Sequence, residues 1–209
     1  MKIKVCGMRE SENLQSLIAL KPDFIGFIFY KKSKRFVADF PKVIFPKGIK
    51  KVGVFVYESI DEVLRLVNKH QLDCVQLHGN ESAEYCRKLR HSELVSESVQ
   101  LDIIKAFSVD ENFDFSITKQ YEKYCNYFLF DTKGINYGGN GVKFNWELLE
   151  NYTGNTPFLL SGGISKNDAE EINKIKHSAF AGIDINSGFE IEPGLKNIEK
   201  IKEFKQYLK

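Results

Sequence analysis

The stretch KKVGVFVYESIDEVLRLVNKHQLDCVQLHG, residues 50–79, reads as strand, helix, strand. Its outer runs, KKVGVFV and DCVQLHG, are short and nearly continuous in apolar residues, as strands covered on both faces should be. Between them, SIDEVLRLVNKH sets Ile60, Val63, Leu64 and Val67 on one side at helical spacing. Ser59 precedes that run and is an expected N-cap.

The unit repeats along the chain. Strand-type runs recur as KIKVC (2–6), DFIGFIF (23–29), KKVGVFV (50–56), DCVQLHG (73–79), DIIKAFSV (102–109), NYFLFDT (126–132), PFLLSGG (157–163) and FAGIDIN (180–186). Amphipathic stretches lie between most of them, among them ISKNDAEEINKIK (164–176), and GLKNIEKIKEFKQYL (194–208) follows the last. Ser82 and Ser165 stand before helical runs as further expected caps. Eight strands alternating with helices predict a parallel sheet. In 209 residues they predict a small (β/α)8 TIM barrel forming one domain over 1–209. An open doubly wound sheet is the alternative, and the absence of G-x-G-x-x-G after the first strand counts against it. One segment breaks the rhythm: LRHSELVSESVQ (89–100) lengthens a connection that is normally short. Residues 91–100 are read as an insertion on the bottom face of the barrel, where insertions are tolerated.

Composition narrows the partners. Net charge is +2 and the lysines are scattered rather than striped, which argues against a nucleic-acid partner. Cysteines occur at 6, 74, 86 and 125 with no CxxC spacing and no metal signature with histidine, so neither a disulfide nor a bound metal is expected. A reducing cytoplasm is the expected location. No apolar run approaches the roughly 20 residues that span a bilayer, and no signal peptide precedes the first strand.

In such a barrel the chemistry sits at the C-terminal ends of the strands. Those ends carry Cys6, the FYKKSKR loop with Arg35, Phe55, Gln76 with His78, Phe107, Asp131, the SGG turn (Ser161, Gly162, Gly163) and the DINSG turn (Asp184 to Gly188). The two glycine turns follow strands seven and eight, where backbone N–H groups of Gly162, Gly163, Asn186, Ser187 and Gly188 could cradle a phosphate; they could also be tight turns only. Asp131 is either a turn residue or a carboxyl aimed into the mouth, where partial burial would fit it to donate a proton. Cys6 is either a small buried hydrophobe or a thiolate base. Arg35 is either a solvated loop residue or a fork for a carboxylate. His78 is either a base or a residue that orients its loop.

With these residues collected, the sequence resembles the phosphoribosylanthranilate isomerase family of tryptophan biosynthesis. KVCGM, DFIGFIFYKKSKRFV, VGVFV, VQLHG, LFDTKG with GGNG, LLSGGI and GIDINSGFEIEPGLKN carry the resemblance from end to end. It implies an Amadori rearrangement of N-(5-phosphoribosyl)anthranilate to 1-(2-carboxyphenylamino)-1-deoxyribulose 5-phosphate, with no cofactor. By position, Cys6 matches the family's general base, Asp131 its general acid, Arg35 its grip on the anthranilate carboxylate, and Gly163 with Asn186–Gly188 its phosphate loops. Gly139 and Gly141 belong to the GGNG loop at the rim. Two positions depart from the family pattern: Asn140 stands where threonine is usual and Ser161 where alanine is common. The implied partner is a phosphorylated small molecule, with no nucleic acid and no membrane, and the assembly a monomer or homodimer.

Related phosphate-binding barrels fit less well. Indoleglycerol-phosphate synthase would need a catalytic lysine on an early strand, and the tryptophan synthase α chain a pair of carboxylates. A metal-dependent epimerase would need His and Asp ligands at several strand ends. A non-catalytic phosphate sensor would keep the glycine loops and lose the acid or the base.

Overall fold

A computed structural model describes residues 1–92, 101–134 and 143–209. Residues 93–100 of the expected insertion, together with Gly139, Asn140 and Gly141, lie outside the described residues.

Eight parallel strands close into a barrel in chain order. They are β1 (Lys2–Val5), β2 (Phe24–Ile28), β3 (Lys50–Phe55), β4 (Cys74–Leu77), β5 (Asp102–Val109), β6 (Tyr127–Thr132), β7 (Phe158–Leu160) and β8 (Phe180–Ile185). Each falls within a run read from the sequence. Closure is made by β1 against β8, with Lys4 beside Asp184 and Val5 beside Ile185. Among the described residues no helix is long and apolar enough to cross a membrane.

The alternation of side chains sorts each strand into two populations. Inward, Cys6, Val52, Val54, Cys74, Ile104, Ala106, Leu129 and Leu159 fill the barrel. Outward, Ile3, Val5, Ile25, Phe27, Phe55, Val75, Leu77, Ile103 and Phe107 meet the surrounding helices and loops. Phe55 and Phe107 are thus not rim residues, contrary to the sequence reading. Both belong to the outward set, and β5 continues past Phe107 to Val109.

The outer layer is less helical than the periodicity predicts. Full helices are α1 (Ser11–Ala19), α2 (Ile60–His70), α3 (Ala83–Arg90) and α5 (Ile198–Tyr207). After β5 and β6 the described residues make only 3-10 turns, at Phe115–Tyr121 and Trp146–Asn151. The expected helix over 164–176 shrinks to a 3-10 turn, Lys166–Asp168, and the single turn α4, Ala169–Ile172. A capping box between Ser165 and Asp168 tightens its start. At its end the Asn173 side chain leaves for α5, donating to the Tyr207 carbonyl and accepting from Lys209 N–H. The run over 194–208 also splits, because Leu195–Lys196 form β10, paired antiparallel with β9 (Glu190–Glu192), before Asn197 caps α5. The caps themselves are as expected: Ser59 accepts from Glu62 N–H, Ser82 from Tyr85 N–H and Ser165 from Asn167 N–H.

Candidate active site

Apart from Phe55 and Phe107, the described residues named from the sequence as catalytic, binding or rim groups converge. Cys6, Arg35, Gln76, His78, Asp131, Gly162, Gly163, Asp184, Asn186, Ser187 and Gly188 line one cleft at the C-terminal mouth of the barrel. The cleft encloses about 690 Å³ of space continuous with solvent.

Cys6 follows the last residue of β1 and is buried. The glycine inside β2 is what gives its sulfur room. A Cβ on Gly26 would stand 2.8 Å from Sγ and 3.1 Å from the Cys6 Cα. Gly26→Ala is therefore expected to push the sulfur aside and lower kcat by about tenfold or more with little change in KM, since small misplacements of a reacting group are costly. Steady-state kinetics on a folded variant checks this, and an unchanged kcat would show that the sulfur's place is not critical.

Beneath the sulfur lies a charged pair of Asp184, read from the sequence as a rim residue, and Lys4, which the sequence reading missed. Lys4, two residues before Cys6 on the same inward face, is fully buried, and its Nζ donates to Asp184 Oδ2 at 2.7 Å. Burial pulls the Lys4 pKa down, but Asp184 and the Cys6 sulfur outweigh that and hold it above the ordinary lysine value. Cys6 is pushed above the ordinary thiol value: burial dominates, Asp184 adds to it, and the Lys4 and Lys196 cations oppose it. The free enzyme thus holds Cys6 chiefly as the thiol at neutral pH.

Asp131 ends β6 inside the mouth and is buried. Its Oδ1 accepts from Thr132 N–H at 3.0 Å, and His78 Nε2 lies 3.2 Å from Oδ2. The Gln76 amide donates to His78 Nδ1 at 2.7 Å, which places the hydrogen of the neutral ring on Nε2, facing Asp131. The turn that carries His78 is held from outside. Lys105 Nζ, buried beside Glu81 at 3.5 Å, donates to the Gly79 carbonyl at 2.7 Å.

Arg35 is placed differently from the expectation. Its fork is already occupied: Nε and Nη2 grip Glu190 on β9, with Nη2 2.6 Å from Oε2. Lys196 on β10 donates to the same carboxylate at 2.6 Å and to Asn186 Oδ1 at 2.8 Å. Against the cost of burial, these two cations hold the Glu190 carboxyl below its usual range. Only the far edge of the guanidinium, at Nη1, faces no partner in these bonds, so a ligand carboxylate would meet a pinned cation. The sequence did carry signals for these groups: Lys4 and Lys105 interrupt buried strands, and a lysine there requires a partner.

The two glycine turns pack together at the rim, and Asn186 of the second lies close to Arg35, the two standing 2.9 and 2.7 Å from the place a Cβ on Gly7 would take. Gly162 sits at φ +92°, and a Cβ there would strike Thr132 N at 2.5 Å, while one on Gly188 would strike the Ile164 carbonyl at 2.1 Å. Glycine at both positions brings the backbone after β7 and β8 close to one point at the cleft.

This arrangement brings one thiol, one carboxyl and one guanidinium to a cleft bordered by two glycine turns. The family described as N-(5'phosphoribosyl)anthranilate (PRA) isomerase matches residues 3–207. An N-(5'-phosphoribosyl)anthranilate isomerase of Parabacteroides distasonis is 48% identical over 216 residues, covering 100% of this chain and 93% of the relative. One from Phocaeicola vulgatus is 43% identical, covering 100% and 98%. The crystal structure of phosphoribosyl anthranilate isomerase from Thermotoga maritima superposes with a TM-score of 0.81 at 31% identity, covering 99% of this chain and 98% of that one. A phosphoribosyl anthranilate isomerase in complex with reduced 1-(o-carboxyphenylamino)-1-deoxyribulose 5-phosphate has a TM-score of 0.78 at 28% identity, covering 99% and 97%.

Proposed function

The chain belongs to the N-(5'-phosphoribosyl)anthranilate isomerase family, and on that premise we propose how its barrel mouth carries out the reaction. The activity is the isomerisation of N-(5-phosphoribosyl)anthranilate in tryptophan biosynthesis, an aminoaldose becoming an aminoketose. The observation that carries the assignment of roles is that Cys6 and Asp131 face one cleft whose rim also holds Arg35 and both glycine turns.

The phosphate lies on the amides of Gly162–Gly163 and Asn186–Gly188, and the anthranilate carboxylate on Arg35. Glu190 and Lys196 hold that arginine still, so less freedom is lost on binding. Holding both ends fixes the sugar between sulfur and carboxyl. Asp131 gives a proton to the ring oxygen while the anthranilate nitrogen pushes out an iminium. Thr132 N–H and His78 Nε2–H already face the carboxylate that this donation leaves behind. The iminium makes the C2 hydrogen acidic, and its positive charge, arriving beside the sulfur, adds to Lys4 and Lys196 in favouring the thiolate. Cys6 then removes the C2 proton. Each positioned proton-transfer group contributes about 10²–10⁴ in rate.

A pH dependence follows from the buried thiol. Its pKa is raised, so the thiolate fraction of free enzyme grows as pH climbs toward the alkaline range. In wild type kcat/KM follows the product of two fractions, Cys6 as thiolate and Asp131 as acid, so the thiolate's own rise is read in Asp131→Asn, whose residual kcat/KM is expected to climb from pH 6 to pH 9. A profile flat above about pH 7 would mean that the sulfur is already ionised before substrate binds.

The direct test of function is the substrate's own anthranilate fluorescence, which should decay when catalytic amounts of protein are added. Binding without decay would indicate a sensor. A coupled assay with the related aminoaldose of histidine biosynthesis, which carries no anthranilate group, decides whether one substrate or two are accepted. A monomer or homodimer is the proposed assembly, since a Thermotoga maritima relative is described as dimeric. The four free, buried thiols fit a reducing cytoplasm. The chain is proposed to form a single barrel domain, with residues 91–100 as a bottom-face insertion.

A further inference from the structure

Two proton-transfer groups do not complete the isomerisation. After Cys6 has removed the C2 proton the intermediate is an enaminol, with a C1=C2 double bond and a hydroxyl on C2. Reaching the ketone requires that C1 gain a proton and that the oxygen on C2 lose one. Cys6 holds the proton taken from C2 and can return it to C1. Asp131 has been spent on the ring oxygen, and both of its oxygens already face donors, Thr132 N–H and His78 Nε2.

Asp184 is the group left over. It lines the same cleft, it stands on β8 directly beside β1, and it is 5% exposed. Its Oδ2 is fixed by Lys4, while Oδ1 is buried and meets no donor among the described residues. A buried carboxylate oxygen without a protein donor calls for a partner from outside the fold, a water, an ion or a ligand group, and here it belongs to a residue that lines the cleft. Since Asp184 neighbours Cys6, it lies on the side of the sugar carbon whose hydrogen Cys6 removes, and that carbon also carries the hydroxyl.

We propose that Asp184 is a third catalytic group: Oδ1 binds the C2 hydroxyl of the substrate and accepts its proton as the enaminol becomes the ketone on the enzyme. This rests on the assignment of Cys6 and Asp131 made above. The step balances. The O–H electron pair becomes the second bond of the carbonyl, the C1=C2 pair takes the proton from the Cys6 thiol at C1, and the hydroxyl proton ends on Asp184 Oδ1. Cys6 has then taken and returned one proton. Asp131 ends ionised and Asp184 protonated, and exchange with solvent resets both between turnovers. Burial holds the Asp184 carboxyl above its ordinary range, with Lys4 and His78 opposing and Asp131 reinforcing, which suits a group that must keep a proton for part of the cycle. Lys4 is the positioning residue: by holding Oδ2 it leaves Oδ1 as the oxygen able to accept.

The test is the reaction of C2-deuterated substrate in deuterium oxide, so that Cys6 returns deuterium whether or not its thiol exchanges, with product trapped at once by borohydride and its C1 hydrogens read by NMR. Wild-type enzyme should place the new C1 hydrogen isotope on one face only. In Asp184→Asn, which keeps the shape but cannot take the proton, kcat should fall about ten- to a hundredfold. Substrate should still be consumed through loss of the C2 hydrogen, and the released enaminol should ketonise in bulk solvent, labelling both C1 faces equally. Single-face labelling with kcat within about twofold of wild type overturns the proposal, and so does loss of C2 hydrogen removal itself, which would place Asp184 in the earlier step. If the asparagine variant does not fold, Asp184→Ala with added formate replaces it. Restoration of single-face labelling by formate supports the proposal, and single-face labelling without formate overturns it. Full activity in a Cys6 variant would instead defeat the underlying assignment, so the two failures are distinguishable.

Discussion

Cys6→Ser is expected to lower kcat by about 10²–10⁴ while the protein keeps its fold. Serine is slightly smaller than cysteine and fits the space left by Gly26 without pressing on the surrounding core of Val54, Ala106 and Leu129. The chemistry differs because a hydroxyl is a far weaker acid than a thiol. The field of Lys4 and Lys196 that helps to expose a thiolate cannot ionise an alcohol in a site where burial already works against the anion. KM should move little, since the phosphate and carboxylate grips are elsewhere in the cleft. Stopped-flow fluorescence of the substrate, with a thermal melt to confirm folding, measures both quantities. Near-full turnover in the serine variant would reduce Cys6 to a packing residue and remove the base from the scheme.

Asp131→Asn should produce a collapse of similar size, about 10²–10⁴ in kcat, for a different reason. The amide keeps the outline of the carboxyl but has no acidic proton to give to the ring oxygen. Its Oδ1 can still accept from Thr132 N–H, but an Nδ2 in place of Oδ2 would set a donor against His78 Nε2–H. The imidazole must then move its hydrogen to Nδ1, and the Gln76 amide, which donates to Nδ1 in the wild type, must turn over to accept it. His78→Asn should be milder than Asp131→Asn, because it removes the carboxyl's neighbour and leaves the acid in place. Unchanged kcat in Asp131→Asn would take this residue out of the acid role, and an equal loss in both variants would make the pair, rather than the carboxyl alone, the acid.

Much of this architecture was legible in the chain. The runs at 102–109 and 126–132 read as strands because apolar residues fill them and turn residues bound them, and their residues appear in β5 and β6. Local capping chemistry identified Ser59, Ser82 and Ser165 for the same reason: a cap is made within three residues of itself. The helix over 164–176 was overread, because periodicity does not register that Asn173 is drawn to α5 at the chain's far end. Phe55 and Phe107 were misplaced because position along a strand does not tell which of two alternate faces looks into the barrel.

Neighbours close in the chain suffice to fix the eight strand runs and the chemical types that stand at the strand ends. Only the tertiary structure decided who meets whom. Lys4 finds Asp184 across 180 positions, and Arg35 finds Glu190 across 155. Those pairings depend on strand phase and on β1 closing against β8, and no local preference encodes a contact made only when the first strand returns to the last.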